Sequence, residues 1–304
     1  TIPLNAFRGH PRAAAIRDIR LHTAADAVDR MLGPAAPTPD PNDTAALDAL
    51  ARSDNALQIL GLASSRMIAY RLRGRFARAI ELATLVERLA RIADVHQPAL
   101  VHARVPSALL QAGITRGLAD DIAGAMVVLR DAHERAPHAR AQHVAADAAG
   151  KAALFAALAG DIREARRWMD LHENAHQVGG WRRSRIELTA NAARCLIAIE
   201  TLDHAAADET LDMLDQPVNA EQSWGAVVPF VMMRHALVWG DRLGAVDRLQ
   251  QDRRRFAAWI GQGSTLEPLL DHAEVDLRLS LRHGQRARVV VAAGREHALS
   301  LVAR

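Results

Sequence analysis

Aromatic residues make up only 4% of this 304-residue chain, cysteine occurs once, and Lys151 is the sole lysine. So few aromatics beside 62 alanines exclude a β-sandwich or β-barrel, because strands favour β-branched and aromatic side chains and Ala is the strongest helix former. A single cysteine, Cys195, excludes an internal disulfide and fits a reducing compartment. It stands in the apolar run Cys195-Leu196-Ile197-Ala198-Ile199, the setting of a small buried side chain. No apolar stretch reaches the roughly 20 residues that span a bilayer. Asp147 and Lys151 interrupt the run before Gly160, and Arg234 the one before Gly240. The opening Thr1-Ile2-Pro3-Leu4 lacks a charged-then-apolar signal pattern, so a cytoplasmic chain without membrane contact is expected. It begins without Met, which fits a piece of a longer protein.

Charge of one sign is also in short supply. Thirty-eight basic residues face 35 acidic ones, leaving +3. The high isoelectric point of 9.9 reflects Arg in place of Lys rather than a concentrated basic patch. Nucleic-acid binding by these residues is therefore not expected. Trp181-Arg182-Arg183-Ser184-Arg185 and Arg253-Arg254-Arg255 read as solvated faces, with phosphate or an acidic partner as the other option.

What is present is repetition. Pro11 to Leu32 has the pattern of one amphipathic helix, and the segment from Gly33 to Asp43, with four prolines, breaks any helix. Beyond it, a helix ends at Gly74, Gly160 and Gly240, and an Ala follows five residues later at Ala79, Ala165 and Ala245. Asp120 with Ala125, Thr201 with Ala206, and Gly284 with Val289 supply degenerate copies. The anchors are spaced by 46, 40, 41, 39 and 44 residues, a period of two helices and two turns. First helices are expected over 54–73, 97–116, 137–159, 181–200, 219–239 and 264–283, with a kink or a late start at Pro106 and Pro229. A single pair cannot bury its own apolar face, so stacked neighbours share a core and the array becomes a superhelix.

Gly160-Asp161-Ile162-Arg163-Glu164-Ala165 and Gly74-Arg75-Phe76-Ala77-Arg78-Ala79 resemble the turn between the two helices of a tetratricopeptide repeat. With the longer period, the Ala and Arg bias and second helices such as Ala165-Arg166-Arg167-Trp168-Met169, residues 54–304 resemble the sensor region of large LuxR-type (maltose-regulator-type) bacterial transcription activators. That resemblance implies an ATPase module before the superhelix and a helix-turn-helix DNA reader after it. Neither is in these residues: Lys151 follows Gly150 but precedes Ala152, so there is no phosphate-cradling loop, and Val289 to Gly294 belong to the last repeat.

The expected fold is all-α, a right-handed superhelix (α-solenoid) of about six tetratricopeptide-like pairs. Residues 1–43 form an N-terminal helix and Pro-rich linker, and 44–304 the repeat domain. The expected function is non-catalytic: a regulatory sensor domain that takes a small-molecule inducer or a protein partner in its concave groove, without cofactor, touching DNA only through a module outside the chain, and capable of self-association. A stand-alone peptide-binding scaffold is the nearest alternative. Groove positions carried over from the tetratricopeptide repeat, by counting back 13, 10, 6 and 3 residues from each anchor, fall on Ser64, Asp147, Asn191, Phe230, Arg234, Asp271, Glu274 and Arg278, with Leu154 and Leu188 as apolar neighbours. Asn191 and Arg234 interrupt apolar helices, so they either face an open groove or pair with each other across repeats.

One motif points to different chemistry. His172-Glu173-Asn174-Ala175-His176 matches His-Glu-x-x-His, in which two imidazoles on one helix face hold zinc and the Glu activates its water. Arg182 stands where a third His of the longer protease pattern belongs, leaving Glu187 or Glu200 as the alternative third ligand. The competing reading has these residues as the polar end of an ordinary second helix whose buried face is Trp168 and Leu171. No strand pattern nearby offers an edge to hold a peptide substrate, which favours the structural reading. Asp120-Asp121 likewise reads as a helix cap rather than a metal site.

Overall fold

Alanine-rich segments with few β-branched residues fold as helices, and the turns between them carry the stop signals. The computed structural model describes residues 56–72, 74–96, 104–179, 187–214, 224, 227–256 and 266–281. Among them are eleven helices and no strand: α1 (Ala56–Leu72), α2 (Phe76–His96), α3 (Val105–Leu118), α4 (Ile122–Arg135), α5 (Gln142–Leu158), α6 (Ile162–Gly179), α7 (Glu187–Glu200), α8 (His204–Leu214), α9 (Val227–Val238), α10 (Arg242–Phe256) and α11 (Leu266–Ser280). The all-α expectation holds. The N-terminal helix, the Pro-rich linker, Arg182 and the Gly284 turn lie outside the described residues. Pro106 and Pro229 both sit in the first turn of a late-starting helix, where a missing N–H costs nothing.

The turns within the first four hairpins share one construction, which the α4–α5 link repeats at Arg140. Gly74, Asp120, Gly160 and Leu202 adopt φ of 69°, 70°, 79° and 58°. In each, the left-handed residue donates its N–H to the carbonyl three residues back, and its successor donates to the carbonyl five back, as in Gly160 to Ala157 and Asp161 to Ala156. This Schellman pattern satisfies carbonyls orphaned by the helix end. The successor is Asp121, Asp161 or Asp203 in three of the four turns, and its carboxylate accepts from the N–H of Gly124, Glu164 or Ala206 at 2.9–3.1 Å, capping the next helix.

This geometry corrects the expected register at one repeat. The left-handed residue is Leu202 rather than Thr201, so the close-packed alanine is Ala207, fully buried, and not the half-buried Ala206. Counting from a Gly-like residue missed it because Leu202 accepts a conformation that normally favours Gly or Asn. Gly240 departs in another way. Its N–H bonds the Ala236 carbonyl four residues back, continuing the helix, while Asp241 still caps α10 through the N–H of Gly244.

Packing is serial. Each two-helix hairpin is closed on itself: α1 on α2, α3 on α4, α5 on α6, α7 on α8, and α9 on α10. The odd-numbered helices also pack one on the next from α1 through α11, and every even-numbered helix from α2 to α10 packs on the odd-numbered helix that follows it. An odd-numbered helix in the middle is therefore enclosed on several sides. In α5 this leaves Ala148 through Ala157 buried without interruption. Small residues make the approach feasible: a Cβ on Gly117 would stand 2.2 Å from the Phe155 ring, and one on Gly113 would stand 2.7 Å from Leu129. A continuous core runs from Leu60 to Val231. A second, smaller cluster joins Met233, Ala236, Val246, Leu249, Leu270, Ala273 and Leu277, and Phe230 packs against both.

Candidate functional site

The residues expected to line a groove separate into three settings. Arg234 on α9 pairs with Glu200 at the end of α7 (2.8 Å) and stands 4.0 Å from Asp276 on α11, with a third or more of each side chain exposed. Three successive odd-numbered helices thus meet in a charged, solvent-facing strip. Asn191 is buried and accepts from Arg194 at 2.6 Å, and Arg194 also holds Glu173. Asn191 turns to Arg194 and Arg234 turns to Glu200, rather than to each other. Further along, Asp271, Glu274 and Arg278 are nearly enclosed: Glu274 accepts from Arg278 at 2.6 Å and lies 3.4 Å from Arg253, which also bonds Asp271. Leu154 and Leu188 are buried in the core, and Phe230 bridges its two parts. At the other end of the array, the hydroxyl of Ser64 is buried without a partner.

Two cations in this structure were not anticipated as partners of the same row. Lys151, on the enclosed α5, donates to Asp147 at 2.5 Å and lies 5.0 Å from the centre of the Trp224 ring, so the expected groove residue Asp147 compensates a buried charge. Arg71 of α1 bonds the Gln111 carbonyl and side chain and the Thr115 hydroxyl of α3 at 2.8–3.2 Å. All three acceptors are neutral, and burial pushes the guanidinium down to about 10.

The His-Glu-x-x-His segment lies at the end of α6. His172 is buried, and its Nδ1 stands 2.8 Å from the Ala146 carbonyl, an arrangement that requires Nδ1–H as the donor. Burial holds its pKa below the ordinary imidazole value, against the raising effect of that hydrogen bond. His176 stands 3.1 Å from Glu187, and the exposed Glu173 is turned to Arg194 at 3.2 Å. The nominal general base is thus engaged by a guanidinium, and the two imidazole centroids are 6.0 Å apart.

A different set of ligand-type atoms converges where α8 begins and α9 ends. His204 and Asp208 are four residues apart on α8 and share a face. Asp208 receives His235 of α9 at 2.7 Å on one carboxylate oxygen and His204 at 3.3 Å on the other. Trp239 packs its ring 4.9 Å from His204 and 5.4 Å from His235. Beside them, a cleft of about 290 Å³ is lined by His235, Leu211, Pro229, Met232, Met233 and Arg248, among others. Cys195 lies close by but is inert: burial, reinforced by the charge of Asp208, pushes its thiol up to about 12.

No family model and no curated protein matches this chain. Sequence reasoning passed over the His204 set because His235 stands 31 positions from His204, which makes no short motif. The repeat register held the missing signal: it sets the start of one second helix beside the end of the next first helix, and His204 and His235 occupy those two places.

Proposed function

We propose that this chain is a non-catalytic recognition domain, a superhelix of tetratricopeptide-like pairs that binds a small-molecule inducer or a protein partner on the face formed by its first helices. The observation that carries the reading is Arg234, held between Glu200 and Asp276 where α7, α9 and α11 meet, with a third of its side chain open to solvent. The serial packing of first helix on first helix supports a superhelical arrangement, since among the described residues each hairpin makes its main contacts with the hairpins beside it. Ligand binding that favours one curvature over another shifts the population of the array, and the difference in affinity between the two shapes supplies the signal. Within this reading the domain acts as the sensor of a LuxR-type transcription regulator, and the burial of His172 with the pairing of Glu173 to Arg194 supports a structural role for the His-Glu-x-x-His segment.

The test is a thermal-shift screen of bacterial metabolites and of short acidic and basic peptides on wild type and Arg234→Glu. A ligand that raises the melting temperature of the wild type and loses at least about tenfold in affinity in the folded variant supports the site. Binding that ignores the substitution removes Arg234 from it, and a screen without any stabilising ligand overturns the recognition role. The natural gene on either side of these residues separates a regulator, with a phosphate-binding loop upstream and a helix-turn-helix downstream, from a stand-alone peptide scaffold.

A further inference from the structure

The structure assigns His204, Asp208 and His235 to a binding site for one divalent transition-metal ion of the zinc class, set where α8 and α9 meet, at the rim of the cleft lined by His235. The three residues each offer one ligand atom, and these atoms lie within 4.8 Å of one another. A tetrahedral ion with bonds of 2.0–2.2 Å holds its ligand atoms about 3.3 Å apart. The Asp208 oxygens already stand 2.7 and 3.3 Å from the two imidazole nitrogens, so small rotations of side chains bring the set to that spacing. Those rotations are available, because His204 and Asp208 are each more than half exposed while His235, only 12% exposed, forms the fixed wall.

Donor chemistry selects the ion. Two imidazoles and one carboxylate suit Zn²⁺, Ni²⁺ or Cu²⁺ and are a poor match for Mg²⁺ or Ca²⁺, which call for more oxygen ligands. Without metal, the Nε2–H of His235 donates to Asp208, and the His204 Nε2 stands 3.3 Å from the other carboxylate oxygen. On binding, a proton held on Nε2 of a neutral ring moves to Nδ1 and the Nε2 lone pair takes the metal, so a neutral ring releases no net proton. One carboxylate against a dication leaves a net +1, and three protein ligands leave a fourth position open for water or an anionic group. Trp239, in contact with both rings, orients them and places a fluorophore against the ion. The site stands on its own geometry and does not depend on the recognition face around Arg234.

The experiment uses the untagged 304-residue chain, so that no affinity tag competes for metal. Equilibrium dialysis against ZnCl₂ is expected to give one tightly held zinc per chain. His204→Asn and Asp208→Asn, both at exposed positions, should each weaken it by at least about tenfold with unchanged circular dichroism, and His172→Asn and His176→Asn should leave it unaltered. Ni²⁺ should quench tryptophan fluorescence in the wild type and do so less in Trp239→Phe. The proposal is overturned if no zinc is retained, if retention survives His204→Asn and Asp208→Asn, or if it is lost in His172→Asn instead. Equal nickel quenching in Trp239→Phe would equally place the ion elsewhere.

Discussion

The middle of the molecule and its C-terminal end are built on one repeat plan and packed in different ways. From α3 to α8 the contacts are made by alanine and glycine: Ala125, Ala165 and Ala207 have no exposed surface, and the Phe155 ring occupies the space a Cβ on Gly117 would need. From α9 to α11 the contacts are made by Met, Leu and charged side chains. There the core becomes a separate small cluster, the close alanine Ala245 is only half-buried, and a cleft of about 290 Å³ opens beside it. Small residues draw helices together and leave no room, whereas larger and charged ones hold them apart and leave space lined with reactive groups. The strip around Arg234 and the His235 cleft both belong to that second region.

The largest break in this comparison should come from the ion network that replaces alanine packing near the C-terminus. Glu274 and Arg278 have side chains only 5% and 7% exposed. Glu274→Ala leaves two guanidinium groups short of a counter-charge and is expected to cost about 3–5 kcal/mol by urea unfolding, whereas Glu274→Leu with Arg278→Met should be close to neutral or stabilising. If the single and double changes cost the same, the network is not what holds α11 in place. Next in size, Ala165→Leu inserts three carbons into a filled contact and should cost about 1–3 kcal/mol, while Ala245→Leu should cost under about 0.5 kcal/mol. Equal losses at the two positions would mean that the two regions are packed alike.

Much of this plan was legible in the sequence. Four of the five anchors within the described residues, Gly74, Asp120, Gly160 and Gly240, mark observed turns, and the aspartates that follow three of them cap the next helix. The fifth was displaced by one residue because Leu202 takes a left-handed backbone that its side chain does not advertise. Site residues were harder to read. Repeat spacing fixes which helix face a residue occupies, but not whether a neighbouring helix brings a counter-charge. Asp271, Glu274 and Arg278 therefore appeared as groove residues, while Arg253 of α10 closes over them. The His204 set needed two helices from successive repeats to be brought side by side, and no local pattern encodes that.

A smaller effect comes from the buried histidine of the middle region. In the folded chain His172 is held below its ordinary value of 6.5, chiefly by desolvation, so it stays neutral where the unfolded chain takes up a proton. Unfolding is then favoured as acid is added: the contribution of His172 to stability is intact above pH 6.5 and is lost progressively as pH falls from there to its lowered folded-state value, below which the loss is constant. The slope cannot exceed about 1.4 kcal/mol per pH unit for one proton. His172→Asn keeps a donor for the Ala146 carbonyl and removes the titration. Between pH 7.5 and 5.5 the wild type should therefore lose more stability to urea than the variant, and equal losses would mean that His172 is not the source of the acid sensitivity.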